Sequence, residues 1–155
     1  MTIVSAICNS FKQEILVEGH NFTNGTDAFK IALYSSDSAT LNKSTTAYTA
    51  PADGTADPTN TYEVTSTSSG YTTGGNALTS TTPVLSGDTA CCKFADTSWG
   101  SSASFTARGC LIYNSTNANK AVCAINFGAD KTVTSGTFTI QFPAQTAGNA
   151  IIQIA

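Results

Sequence analysis

One histidine, five cysteines and ten Asp or Glu residues are all that this chain of 155 residues offers to acid–base, nucleophilic or metal chemistry. His20 is the only side chain whose ordinary pKa lies near neutrality, so any Ser–His or Cys–His pair must use it. A metal site built from several histidines is excluded within one chain. Ser10 and His20 lie close in sequence and would supply a nucleophile and a base, yet nothing in the pattern fixes a third group. Glu14 and Glu18 stand at i,i+4, the spacing of one helix face, and read as a solvated surface. Asp53, Asp57 and Glu63 offer carboxylates to calcium, but without the glycine-anchored twelve-residue loop that gathers six to eight oxygens. No G-x-S-x-G elbow, phosphate-binding loop or H-E-x-x-H pair occurs. The expectation is therefore no catalytic residue, no metal ligand and no cofactor.

The cysteines are Cys8, Cys91, Cys92, Cys110 and Cys123. None is spaced as C-x-x-C, which argues against a zinc site or a redox motif. They read either as small buried hydrophobes or as thiols that oxidise after assembly. The residues 1–10 carry neither a basic stretch nor a long apolar core, so no secretory signal is read there. No apolar run approaches the roughly 20 residues of a membrane helix. The sequons at Asn21 and Asn114 are expected by chance in a chain with 11 Asn, 17 Ser and 26 Thr.

The elements that position these residues are mostly strands. Ser10 in the N-cap position, with Phe11 and Ile15 on one face, predicts one or two helical turns over 10–17, closed by Gly19. Residues 28–34 are apolar enough for a central strand. A long loop rich in Thr, Ser, Asp and Gly follows over about 35–75, with a short strand at 62–65. Residues 77–86 and 89–95 flank Gly87-Asp88, a two-residue hairpin signal. Residues 105–113 and 121–127 flank a polar turn, and 128–131 predicts the next reversal. Phe138, Ile140 and Phe142 alternate with polar residues in a half-buried strand, and 151–154 ends the chain in another. Seven or eight short strands with Gly-, Asn- and Ser-rich turns predict an all-β single domain. A β-sandwich or jelly roll over 21–155 would carry an N-terminal arm with a short helix over 1–20.

This frame places four side chains. With Tyr113 opposite Lys120 across the hairpin, Cys110 falls directly opposite Cys123. Opposed Cβ atoms lie roughly 4.5–5.5 Å apart, slightly wide for a relaxed disulfide, so a bridge and a reduced contact both fit. Cys8, in the extended arm, is the cysteine expected to bond a neighbouring subunit. Trp99, in a loop over 96–101, either caps the end of the sandwich or offers an exposed ring for stacking on a sugar.

Composition narrows the partners. Only 11% of residues are charged, the net charge is -3 and 41% are apolar. Nucleic-acid binding wants clustered Lys and Arg, and disorder wants few apolar residues and high net charge. Thr-rich strands with few ions suit close packing against other proteins.

Residues 70–79, 105–114 and 120–143, together with 10–34 and 38–48, resemble a family of small virion structural proteins of tailed bacteriophages. The likeness spans nearly the whole chain, with the cysteines and an insertion over 50–69 as departures. Its motifs are strands and turns without catalytic residues. The resemblance implies a capsid decoration, or cement, protein made in the host cytoplasm and bound in the virion to the major capsid protein. A homo-oligomer is implied, with a trimer the commonest arrangement, and no nucleic-acid or membrane partner. Segments 1–20 and 35–75 are the expected contacts. The alternatives are a neck or tail accessory protein and a host-glycan or receptor-binding β-sandwich using Trp99.

Overall fold

The strongest local signal, two apolar runs around the polar turn at 114–119, marks the centre of the fold. The computed structural model describes residues 2–35, 39–49, 62–65, 68 and 70–155. In chain order its elements are β1 (Ala6–Ile7), α1 (Asn9–Glu14) with a 3-10 turn (Ile15–Val17), β2 (Phe29–Tyr34), β3 (Asn76–Leu78), β4 (Val84–Ser86), β5 (Thr89–Cys92), β6 (Thr97–Asn114), β7 (Lys120–Ile140) and β8 (Ile152–Ile154). They form two antiparallel sheets, one ordered β1-β7-β6-β2-β3 and one ordered β4-β5-β8. The protein is thus an all-β, sandwich-like single domain with a short N-terminal helix.

β2 sits between β6 and β3 and is buried on both faces, which is why its sequence is a near-continuous apolar run. The core continues from it through aromatic contacts. Phe29 stacks on Phe22 at 4.5 Å and meets Phe94 at 5.5 Å, and Phe94 meets Phe142 at 5.5 Å. Phe94 and Phe142 come from the segments after β5 and β7, so these rings join the strands of the large sheet to the connections between the sheets.

Several expected elements take a different form. The reversal expected at 128–131 does not occur, because β7 runs on through Gly128 to Ile140. Gly128 takes φ +78°, and the β6–β7 register shifts between Ala107 and Gly109, so the strand bends instead of turning back. The run 77–86 splits into β3 and β4, which belong to different sheets with Pro83 just before β4. The helix begins at Asn9 with Cys8 in the cap position, so Ser10 lies inside it and caps nothing. Gly19 closes the helix for a steric reason. The left-handed residue is Glu18, whereas a Cβ on Gly19 would lie 2.8 Å from the Glu14 carbonyl oxygen.

The hairpin register also corrects the cysteine pairing. Asn114, not Tyr113, stands opposite Lys120, and a second irregularity lies between Ile112 and Tyr113. Cys110 therefore faces Ile125, and Cys123 faces Ile112. The two cysteines are diagonal neighbours on one face, and all five thiols are free. Residues 2–20 do not stand off as an arm. β1 pairs with β7, and Ile3, Cys8 and Phe11 are buried in the core. The described parts of 35–75 pack inward as well, through Leu41, Tyr48, Val64 and Tyr71.

Candidate functional site

The side chains with most chemical capacity converge where the end of α1 meets the β6–β7 turn. Gly19 and His20 follow the helix, which returns the His20 ring toward Glu14 and against Phe11, with ring centroids 4.8 Å apart. His20 Nε2 lies 2.7 Å from Glu14 Oε2, and Nδ1 lies 3.2 Å from Asn114 Nδ2. The orientation of the Asn114 amide follows from its other bonds. Its Nδ2 donates to Asp27 Oδ2 at 2.7 Å, and its Oδ1 accepts from the backbone N–H groups of Thr116 and Asn117 at 3.1 and 3.2 Å. A donor therefore faces His20 Nδ1, so Nδ1 accepts and Nε2–H donates to Glu14. Lys120 Nζ completes the group at 3.6 Å from Glu14 Oε1.

This geometry fastens three chain segments together. Both nitrogens of His20 are engaged, and its side chain is fully buried. Ser10 Oγ is buried without a hydrogen-bond partner, so Ser10 and His20 are not joined as nucleophile and base. Beside the network a cleft of about 590 Å³ is lined by Glu18, His20, Asn21, Thr26, Asp27 and Thr116 among others, with no Phe, Tyr or Trp along it among the described residues. Asn114, the first residue of an expected sequon, is buried with its amide fully used.

A second polar centre lies under the segment before β3. Glu63 is buried and accepts three hydrogen bonds. Tyr71 Oη donates to Oε1 at 2.7 Å, the Gly74 backbone N–H donates to Oε1 at 2.6 Å, and Tyr48 Oη donates to Oε2 at 2.9 Å. Burial raises the Glu63 carboxyl above the ordinary carboxylate range, against the opposing pull of its three donors. Burial and then the neighbouring Glu63 push the Tyr48 and Tyr71 hydroxyls upward, so both remain donors. Tyr113 stacks on Tyr48 at 4.4 Å and donates to the Gly74 carbonyl at 2.9 Å. Asp53 and Asp57, the other acids offered to calcium, lie outside the described residues. Among the described residues no three of His, Cys, Asp and Glu converge to hold a metal ion.

The remaining expected site residues are internal. Trp99 lies on β6, not in a loop, and is 2% exposed. Its ring packs against Tyr71, Phe105 and Phe138, so neither face is open to a sugar. Cys8 is buried with its Sγ 3.9 Å from the Asn42 carbonyl, so its thiol is not presented at the surface of the chain. Burial pushes the Cys8 thiol up to about 11 with help from Glu14, and the Cys123 thiol up to about 12 with help from Cys8. Burial and then Cys123 raise Cys110 well above the ordinary thiol. Cys92, half-buried beside Cys91, is pushed up to about 11. At about pH 8, where an ordinary thiol is partly ionised, iodoacetamide should label the native chain slowly and at Cys92 before the others. Intact-mass and peptide mapping checks this. Rapid labelling of Cys8, or a Cys110–Cys123-linked peptide in a non-reducing digest, would contradict the burial and the register.

Sequence reasoning missed the roles of Asn114, Asp27 and Glu63. Asn114 carried one usable signal, since an Asn at the mouth of a hairpin turn often bonds backbone N–H groups ahead of it. Glu63 had only its isolation among Tyr and Thr residues. No protein family, no curated protein and no solved structure matches the chain. Among the described residues no helix is long and apolar enough to cross a membrane.

Proposed function

We propose that this chain is a non-enzymatic structural protein that works by packing against other proteins. Its place would be as a homo-oligomeric capsid decoration subunit on the major capsid protein of a tailed-bacteriophage virion. The virion reading rests on the sequence resemblance. The packing reading is carried by one structural observation: Leu16 and Val17, at the end of the N-terminal helix, are 84% and 71% exposed, while the reactive side chains nearby are consumed in internal bonds. Large apolar side chains side by side on a short helical turn mark a contact surface better than a solvated one. They lie within 1–20, the segment expected to touch the capsid. Segment 35–75 has weaker support, because its described parts pack on the chain's own core.

The test is to replace Leu16 and Val17 together by Asp and add the variant to particles stripped of the wild-type chain. Loss of rebinding with unchanged circular dichroism supports the reading. Undiminished rebinding removes these residues from the interface, and absence of the chain from purified particles overturns the virion reading. A neck or tail accessory protein would use such a surface equally well. Copy number separates the two, with hundreds of chains per particle for decoration and about a dozen or fewer for neck and tail-tip parts.

A further inference from the structure

The bend in β7 leaves a cleft that the internal packing does not fill. β1 pairs with β7 only at Cys123 and Ala124, so among the described residues no strand covers the outer edge of β7 beyond that point. Where β7 curves past Gly128, Ile125 and Phe127 on one side approach Phe138 and Ile140 on the other. Phe142, from the connection to β8, closes the end. Together they bound a cleft of about 470 Å³ with Cys110 at its floor. This volume lies within the roughly 300–1,000 Å³ of small-molecule sites, which are concave, apolar and fixed by a few polar groups.

The charge at the rim selects the class of ligand. Among the described residues lining the cleft, Lys131 is the one that carries a charge. It lies on the same face of β7 as Val133, opposite Ala107, whereas its neighbour Asp130 projects to the other face and approaches Arg108 at 3.6 Å. Among the described residues Lys131 has no ion-pair partner, in a chain with only seven Lys and Arg. An apolar trough with one unpaired ammonium at its edge matches a molecule with a hydrocarbon body and a single anionic head.

We propose that this cleft is a binding site for a single-chain amphiphilic carboxylate, with the alkyl chain between Phe127, Phe138 and Phe142 and the carboxylate on Lys131. The hydrocarbon supplies most of the affinity through burial, and Lys131 supplies the preference for an anion. The site is independent of Leu16 and Val17 and of the virion reading.

The probe is dodecanoate, titrated into the full-length chain below its micelle concentration and followed by calorimetry and by chemical-shift changes. Dodecanol and dodecyltrimethylammonium serve as charge controls. Saturable binding of one dodecanoate per chain is expected, with shifts centred on Phe127, Phe138 and Ile140. Lys131→Gln, at an exposed position, should weaken dodecanoate about tenfold, or about 1.4 kcal/mol, while leaving dodecanol within about twofold. Ile140→Asp should weaken both, and Leu85→Asp, on the exposed face of the small sheet, should change neither. The proposal is overturned if dodecanoate does not saturate, if the cationic probe binds as well, if Lys131→Gln has no effect, or if the shifts map to Leu85.

Discussion

Glu63→Leu should cost about 3–5 kcal/mol of folding stability, the usual penalty for removing one side of a buried charged hydrogen-bonded group. The substitution leaves the hydroxyls of Tyr48 and Tyr71 and the N–H of Gly74 buried and aimed at hydrocarbon. Glu63→Gln should cost distinctly less. An amide oxygen in place of Oε1 keeps the bonds from Tyr71 and Gly74, and the Tyr48 hydroxyl can rotate to accept from the new NH₂ group. Chemical denaturation of the three proteins checks the order. Equal losses for Leu and Gln would mean that shape, not the acceptor, matters at this position.

The raised pKa of the same carboxyl implies a pH dependence of one sign. Its folded pKa is raised, so between the unfolded and folded values the native state binds more protons than the unfolded state. The contribution is fully present below the unfolded value and is lost as pH rises through the folded one. Wild-type stability should therefore carry a falling component from about pH 4 upward, and Glu63→Gln should remove that component. A variant with an unchanged slope would assign the pH dependence to another group.

Asn114→Ala should cost about 2–4 kcal/mol, lowering Tm by about 10 °C for a domain of this size. It removes the donor to His20 Nδ1 and Asp27 Oδ2 and the acceptor for the N–H groups of Thr116 and Asn117. His20→Ala and Asn114→Ala combined should cost less than the sum of the two single losses, since each already breaks their shared bond. Strict additivity in that cycle would mean that the two side chains act independently, against the geometry. Thermal melts followed by circular dichroism supply all three numbers.

These two centres explain why so little of the polar core was legible beforehand. The hairpin turn at 114–119 could be read, and so could an Asn within it. That Asn114 points inward to His20, 94 positions away in sequence, is a consequence of how α1 packs against the end of β7. In the sequence Glu63 is one of three scattered acids that offer carboxylates to calcium. Its burial depends on Tyr48 from one side and Tyr71 with Gly74 from the other, and no local pattern connects them. Trp99 and Cys8 are internal for a related reason. The local sequence places Trp99 in a loop and Cys8 in an arm, whereas β6 extends back to Thr97 and β1 pairs with β7, carrying both inward.

Local patterning by itself determined the all-β class, the short helix within the first twenty residues, the buried central run at Phe29–Tyr34 and the turn at Gly87-Asp88. It also limited the chemistry, because a chain with one His cannot assemble a multi-His site. Periodicity, turn residues and composition act over a few residues, and so they can be read in order along the chain. Register, the continuation of β7 through Gly128 and the partners of His20 and Glu63 came only with tertiary structure. A slip of one position, between Tyr113 and Asn114 as the partner of Lys120, and an irregularity next to it were enough to part Cys110 from Cys123 across the ladder. Pairing between strands is set by the sum of many distant contacts, and no short stretch of sequence contains that sum.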